Sequence, residues 1–114
     1  MDISAIEGVE TSSVEFAAEF VRLRFDGPML TLYAKPHLLF EEFSIAFGEP
    51  EYRNALCSLI GEQVSKASFE EGESLTVEFD NGTVIALSLR EEDSEEPVAG
   101  AWSESGESND EEEF

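Results

Sequence analysis

Residues 74–89 alternate so regularly that little choice of structure remains. Leu75, Val77 and Phe79 are separated by polar residues, and Ile85, Leu87 and Leu89 resume the pattern beyond Asp80-Asn81-Gly82. Apolar residues at every second position mark strands with one buried face. A two-residue Asn81-Gly82 turn would set Phe79 against Val84 and turn Ile85 and Leu87 to the wrong face. A three-residue loop, Asp80-Asn81-Gly82, pairs Val77 with Ile85 and Leu75 with Leu87. It calls for Gly82 in the left-handed region at a bulge.

The surrounding residues 61–90 read as a second copy of residues 8–35. Each stretch opens on glycine (Gly8, Gly61), runs a strand to phenylalanine (Phe16, Phe69) and crosses an acidic turn. Each then closes a second strand on Phe-Asp (Phe25-Asp26, Phe79-Asp80) before a third. Each copy is expected to form a three-stranded meander, and duplication is the hypothesis. In the first copy, a four-residue loop Asp26-Gly27-Pro28-Met29 pairs Phe25 with Leu30, Leu23 with Leu32 and Val21 with Ala34. Between the copies, Phe43, Ile45 and Phe47 suit a strand reached by a hairpin turning at Glu41-Glu42. Gly48-Glu49-Pro50 then opens a helix, with proline at its first position. Tyr52, Leu56, Leu59 and Ile60 form its apolar stripe, and Gly61 ends it. The expected fold class is α+β, mainly β: two antiparallel three-stranded meanders linked by a short hairpin and one helix at about 50–60.

Charge divides the chain. There are 27 Asp and Glu against six Lys and Arg, for a net charge of −21. Residues 91–114 hold eleven of the acids and no base; residues 1–90 hold sixteen acids and all six bases, for −10. The expected organisation is a single domain over 1–90 followed by an acidic, disordered tail over 91–114, too poor in apolar residues to offset its ordering entropy. Such a field repels nucleic acid and anionic membranes and attracts basic proteins. No apolar run is long enough to cross a membrane as a helix. The first residues lack the pattern of a signal peptide, and the one cysteine, Cys57, has no partner, so a cytoplasmic setting is expected.

No reaction centre is legible. His37 is the single histidine, and nothing in the spacing sets it beside Cys57. One His and one Cys cannot build an ordinary zinc site. Asp80-Asn81-Gly82 lacks the later ligands of a calcium loop. No catalytic residue, cofactor or metal is therefore expected, and the chain is read as not an enzyme. The residues singled out for binding a partner are Glu70, Glu71, Glu73, Glu78 and Asp80, with Tyr33 as an aromatic anchor. Arg22, Arg24 and Lys35 form a candidate basic patch on the outward face of the first hairpin. With Arg22 opposite Tyr33, they imply Arg–Tyr stacking, or a place where the acidic tail folds back or a partner docks.

Three stretches, VRLRFDGPMLTLY (21–33), FGEPEYRNALCSLIGEQV (47–64) and SLTVEFDNGTVIALSLREED (74–93), resemble a family of small bacterial proteins without an assigned activity. The resemblance implies a tight turn at Glu41-Glu42 and carries no catalytic residues over. In size and acidity the chain is similar to toxin-neutralising immunity proteins, which is analogy alone. The functional expectation is a non-catalytic acidic protein-binding module, an immunity or inhibitor protein covering a basic partner such as a toxin nuclease. The alternatives are a DNA mimic that inhibits a nucleic-acid-binding protein, and a small ligand-binding domain or solubility-adapted scaffold.

Overall fold

Strands that bury every second residue need a second layer to bury them against. The computed structural model, which describes residues 1–93 and 97–114, supplies it as two five-stranded antiparallel sheets packed face to face around one apolar core. A 3-10 turn at Ile3–Ile6 precedes β1 (Thr11–Phe16), β2 (Val21–Phe25), β3 (Met29–Leu32), β4 (His37–Leu39) and β5 (Ser44–Ile45). Helix α1 (Tyr52–Cys57) leads to β6 (Val64–Glu70), β7 (Ser74–Phe79) and β8 (Val84–Ser88). Last come β9 (Gly100–Ser103) and β10 (Glu111–Glu113). The fold is α+β and mainly β.

Both meanders form as expected. The strand orders are β1-β2-β3-β9-β10 and β5-β4-β8-β7-β6. Each sheet is thus a meander from one half of the chain, extended by the terminal hairpin of the other half. The halves repeat one plan in detail. In each, the first strand bulges against the second, between Thr11 and Ser13 and between Val64 and Lys66. Ser12 and Ser65 fill the bulges, and their hydroxyls donate to the carbonyls of Arg24 and Glu78 at 3.0 and 3.2 Å. At the seam, the Gly8 N–H donates to the Val64 carbonyl and the Gly61 N–H to the Thr11 carbonyl, both at 2.8 Å. The Val64 N–H donates to Val9 and the Thr11 N–H to Glu62, both at 3.0 Å. Such reciprocal contacts are the mark of a two-fold relation. Here they relate two halves of one chain.

The second meander has the expected register. Val77 pairs with Ile85 and Leu75 with Leu87, around a loop in which Gly82 takes φ +91°. The first differs by two residues: Leu23 pairs with Leu30 and Val21 with Leu32, so Arg22 stands opposite Thr31 rather than Tyr33. The Phe25 N–H reaches the Pro28 carbonyl at 2.9 Å, leaving a two-residue Asp26-Gly27 loop with Gly27 at φ +104°. Helix α1 starts at Tyr52, not Pro50, because residues 49–51 form a separate turn closed by the Tyr52 N–H on the Glu49 carbonyl. It ends at Cys57; Gly61 instead takes φ +88° at the seam, and Ile60 of the expected stripe is exposed.

The expected strand at Phe43–Phe47 shrinks to Ser44 and Ile45, although the turn at Glu41-Glu42 forms as read, with the Phe40 N–H on the Phe43 carbonyl. The largest departure is at the C-terminal end. Composition places residues 91–114 in a disordered tail, yet residues 100–113 add β9 and β10 to the first sheet. Trp102 is buried in the core opposite Leu30, and Phe114 packs against Phe69. Gly100 lets this segment sit close: a Cβ there would lie 2.5 Å from the Thr31 carbonyl and 2.6 Å from the Phe114 ring.

Candidate interaction surface

The acids singled out from sequence lie in two places. Glu70, Glu71 and Glu73 stand around the β6–β7 turn, where Glu73 accepts a hydrogen bond from Arg90 Nε at 3.2 Å. Asp80 is exposed in the β7–β8 turn, at the far end of a six-residue strand, about 20 Å away at the rise of an extended chain. Glu78 is half-buried on the outer face of the same strand, opposite Lys66. Tyr33 follows β3 in the other sheet, half-buried, with its ring edge-on to Phe20 at 6.3 Å. These residues do not form one patch.

The basic residues are already engaged. Arg22 lies between Glu15 and Glu111 at 3.8 and 3.9 Å, donates through Nε to the Thr31 hydroxyl at 2.9 Å, and stacks over Phe20. Arg24 reaches Glu15 at 3.3 Å. Glu111 comes from β10, so the acidic end of the chain does fold back onto this face. Lys35 lies apart, with its ammonium 5.1 Å from the centre of the Phe47 ring. The stacking is therefore on Phe20 and Phe47, not on Tyr33.

Sequence reasoning missed the exposed aromatics. Phe43 and Phe47 are each 61% exposed, because a two-residue edge strand has no inner face long enough to cover them. Each is held by a second ring: Phe40 stacks on Phe43 at 4.7 Å, and Tyr52 meets Phe47 edge-on at 5.7 Å. The signal available was the flanking charge, Glu41-Glu42 before Phe43 and Glu49 after Phe47. Tyr52 itself is buried and donates its hydroxyl to the Pro36 carbonyl at 2.8 Å. Burial pushes its phenol up from 10 to about 12.

A cavity of about 440 Å³ opens to the surface beside Met1. Its floor is Phe69, Leu89, Ala99 and Phe114; Glu71, Glu91, Glu112 and Glu113 stand at its rim. His37 is exposed on the outer face of the second sheet, and Cys57 is exposed at the end of α1. Among the described residues no group of three or more His, Cys, Asp or Glu is placed to hold a metal ion, and no helix is long and apolar enough to cross a membrane. Comparison with protein-family models, with curated proteins and with solved structures finds no match.

Proposed function

We propose that this chain is a non-catalytic acidic module that binds a basic protein, in the manner of an inhibitor covering a cationic site such as that of a toxin nuclease. The observation that supports it is how the few bases are used. Arg22, Arg24 and Arg90 sit in ion pairs, Lys35 and Arg53 lie over the Phe47 and Phe16 rings, and Lys66 faces Glu78 across the sheet. The excess of acid is left to act outward, where it speeds and selects encounters with positive surfaces.

The sheet edges favour contact through side chains over strand addition. β1 is bulged, β5 is two residues long, and β10 carries three glutamates. On β6, the Ala67 N–H is taken by the Glu7 carboxylate at 2.9 Å. These are ordinary ways of blunting an edge. Against a second copy, two chains of charge −21 repel. The test is affinity capture at low and moderate salt, followed by titration of whatever basic protein is retained. The expected result is a specific complex whose association rate falls steeply with ionic strength. A complex insensitive to salt, or the retention of no basic protein, would reject the reading.

A further inference from the structure

The exposed rings of the β4–β5 hairpin need a reason, because apolar surface rimmed by polar groups is the usual form of a docking site. Leu39 pairs with Ser44 as Ser103 pairs with Glu111, so the two lent hairpins correspond around these pairs. One step towards the tip, Phe40 and Phe43 correspond to Glu104 and Asp110; away from it, Phe47 corresponds to Phe114. The C-terminal hairpin thus carries exposed carboxylates where the first carries a stacked pair of rings. The fold does not require aromatic residues at Phe40 and Phe43. They are nevertheless held in place. Phe40 rests on the core and covers one face of Phe43, whose other face is left to solvent. Phe47 is braced by Tyr52, which is anchored in turn by its hydroxyl on the Pro36 carbonyl. Rings fixed in this way lose little freedom on binding, as an anchor should.

The charge around the rings decides what covers them. Glu41 and Glu42 form the turn between Phe40 and Phe43, and Glu49 and Glu51 follow Phe47. All four are exposed, and none is in an ion pair among the described residues. The nearest bases in the chain, Lys35 and Arg53, lie over the Phe47 and Phe16 rings. A second copy would bring the same carboxylates to this face, and an anionic lipid surface is repelled as well. Building on the acidic-module reading, we infer that the basic partner docks on this hairpin. An arginine of the partner stacks on the open face of Phe43 and pairs with the carboxylates of Glu41 and Glu42, while an adjacent apolar side chain lies between Phe43 and Phe47. Arginine suits the place because its planar guanidinium stacks on a ring while its edge N–H groups reach carboxylates, which a compact ammonium does less well. Lys35, 5.1 Å from the centre of Phe47, makes a contact of this kind within the hairpin's own surroundings.

The experiment is an NMR titration of the full chain with the peptide acetyl-Leu-Arg-Leu-Arg amide, alongside counterparts with lysine for arginine and with alanine for leucine. Poly-lysine binding, followed in parallel, reports the acidic-module reading alone. The expected result is shifts centred on Phe40, Phe43 and Phe47, with both counterparts about fivefold weaker. Phe43→Ser weakens the leucyl-arginine response about tenfold and leaves poly-lysine binding intact. Glu41→Gln with Glu42→Gln, which touches no ring, weakens the same response and flattens its salt dependence while the fold, checked by circular dichroism, is retained. Shifts that map elsewhere, or that survive Phe43→Ser, overturn the inference while poly-lysine binding keeps the broader reading standing. Broadening of the same resonances by phosphatidylcholine vesicles, or on raising the chain's own concentration, assigns the rings to a lipid surface or to a second copy and overturns it too. If poly-lysine does not bind either, both readings fall.

Discussion

The first half of the chain ends in a hairpin that presents its rings to solvent; the second ends in one that buries them. β4–β5 and β9–β10 hold equivalent positions, each lent to the other half's sheet. Leu38 and Trp102 are the matched core residues, set against Ile85 and Leu30. Beyond them the hairpins part. Phe47 is exposed while its counterpart Phe114 packs on the core. Because one plan serves both halves, features they share are those the fold requires. Features confined to one half mark what the fold does not need, and these are the places to look for function.

The largest effect tests whether the lent hairpins are equally necessary. Trp102→Ala is expected to cost about 3–5 kcal/mol, and Leu38→Ala about 2–5 kcal/mol, as for other large buried side chains. Phe43→Ser, at an exposed position, gives up the stack on Phe40 and should cost only about 0.5–1.5 kcal/mol. Denaturant melts measure all three. A Trp102→Ala cost below about 1 kcal/mol would detach the C-terminal hairpin from the fold and end the comparison.

The next effect belongs to the first half alone. Tyr52 ionises at 10 when unfolded and at about 12 when buried. The unfolded chain therefore loses its proton first. Stability is whole below pH 10 and falls between 10 and 12, by no more than about 3 kcal/mol in all, since each unit is worth about 1.36 kcal/mol. Tyr52→Phe should remove this alkaline loss while giving up the hydrogen bond to Pro36. Melting at pH 9 and pH 11.5 separates the two consequences. An unchanged alkaline slope in Tyr52→Phe would mean that another group carries it.

What could be read from the sequence followed from how tightly each segment constrained itself. Around Asp80-Asn81-Gly82, a wrong loop length would have flipped Ile85 and Leu87 outward, so parity alone chose the register. Around Asp26-Gly27-Pro28-Met29, a shift of two residues preserves every face. Parity is then silent, and the turn decides through Gly27 at φ +104°. The meanders, the turn at Glu41-Glu42 and most of the helix stripe were legible because their signals are local. β9 and β10 were not: Gly100, Ala101 and a run of glutamates carry no strand pattern of their own. They become strands because β3 offers an edge, with Trp102 as anchor. Of the candidate site, the excess charge and its unequal distribution were legible. The cavity was not, because Met1, Phe69, Leu89 and Phe114 are far apart in sequence and meet only in the folded chain.

A smaller effect comes from one mismatch at the seam. Thr11 is buried, and its hydroxyl has no hydrogen-bond partner among the described residues; its equivalent is Val64. Thr11→Val would make the two halves alike. It removes an unsatisfied buried hydroxyl without changing shape, so a gain of about 1 kcal/mol is expected. A loss of similar size would show that the hydroxyl holds water or a partner, and that the halves differ there for a reason.

The smallest effect concerns the outer faces. The first sheet carries Glu15, Arg22 and Glu111; the equivalent residues on the second are Ser68, Thr76 and Ser44. Arg22 lies 3.8 and 3.9 Å from the two carboxylates, contacts too long for good hydrogen bonds, and the ion pairs are only part-buried. Pairs of this kind are worth about 0–1 kcal/mol. Replacing the triad with Ser, Thr and Ser also removes two negative charges and one positive from a chain that repels itself. The two changes oppose each other, and a threonine at position 22, opposite Thr31, can take over the hydrogen bond that Arg22 gives the buried Thr31 hydroxyl, so the triple variant should match the parent within about 1 kcal/mol at physiological salt. The sign is expected to depend on salt. At low ionic strength the relief of repulsion favours the variant, and as salt rises both terms fade and the melts converge. A loss of several kcal/mol, independent of salt, would make the triad part of the fold and would place the first sheet's armoured face among the features that folding requires.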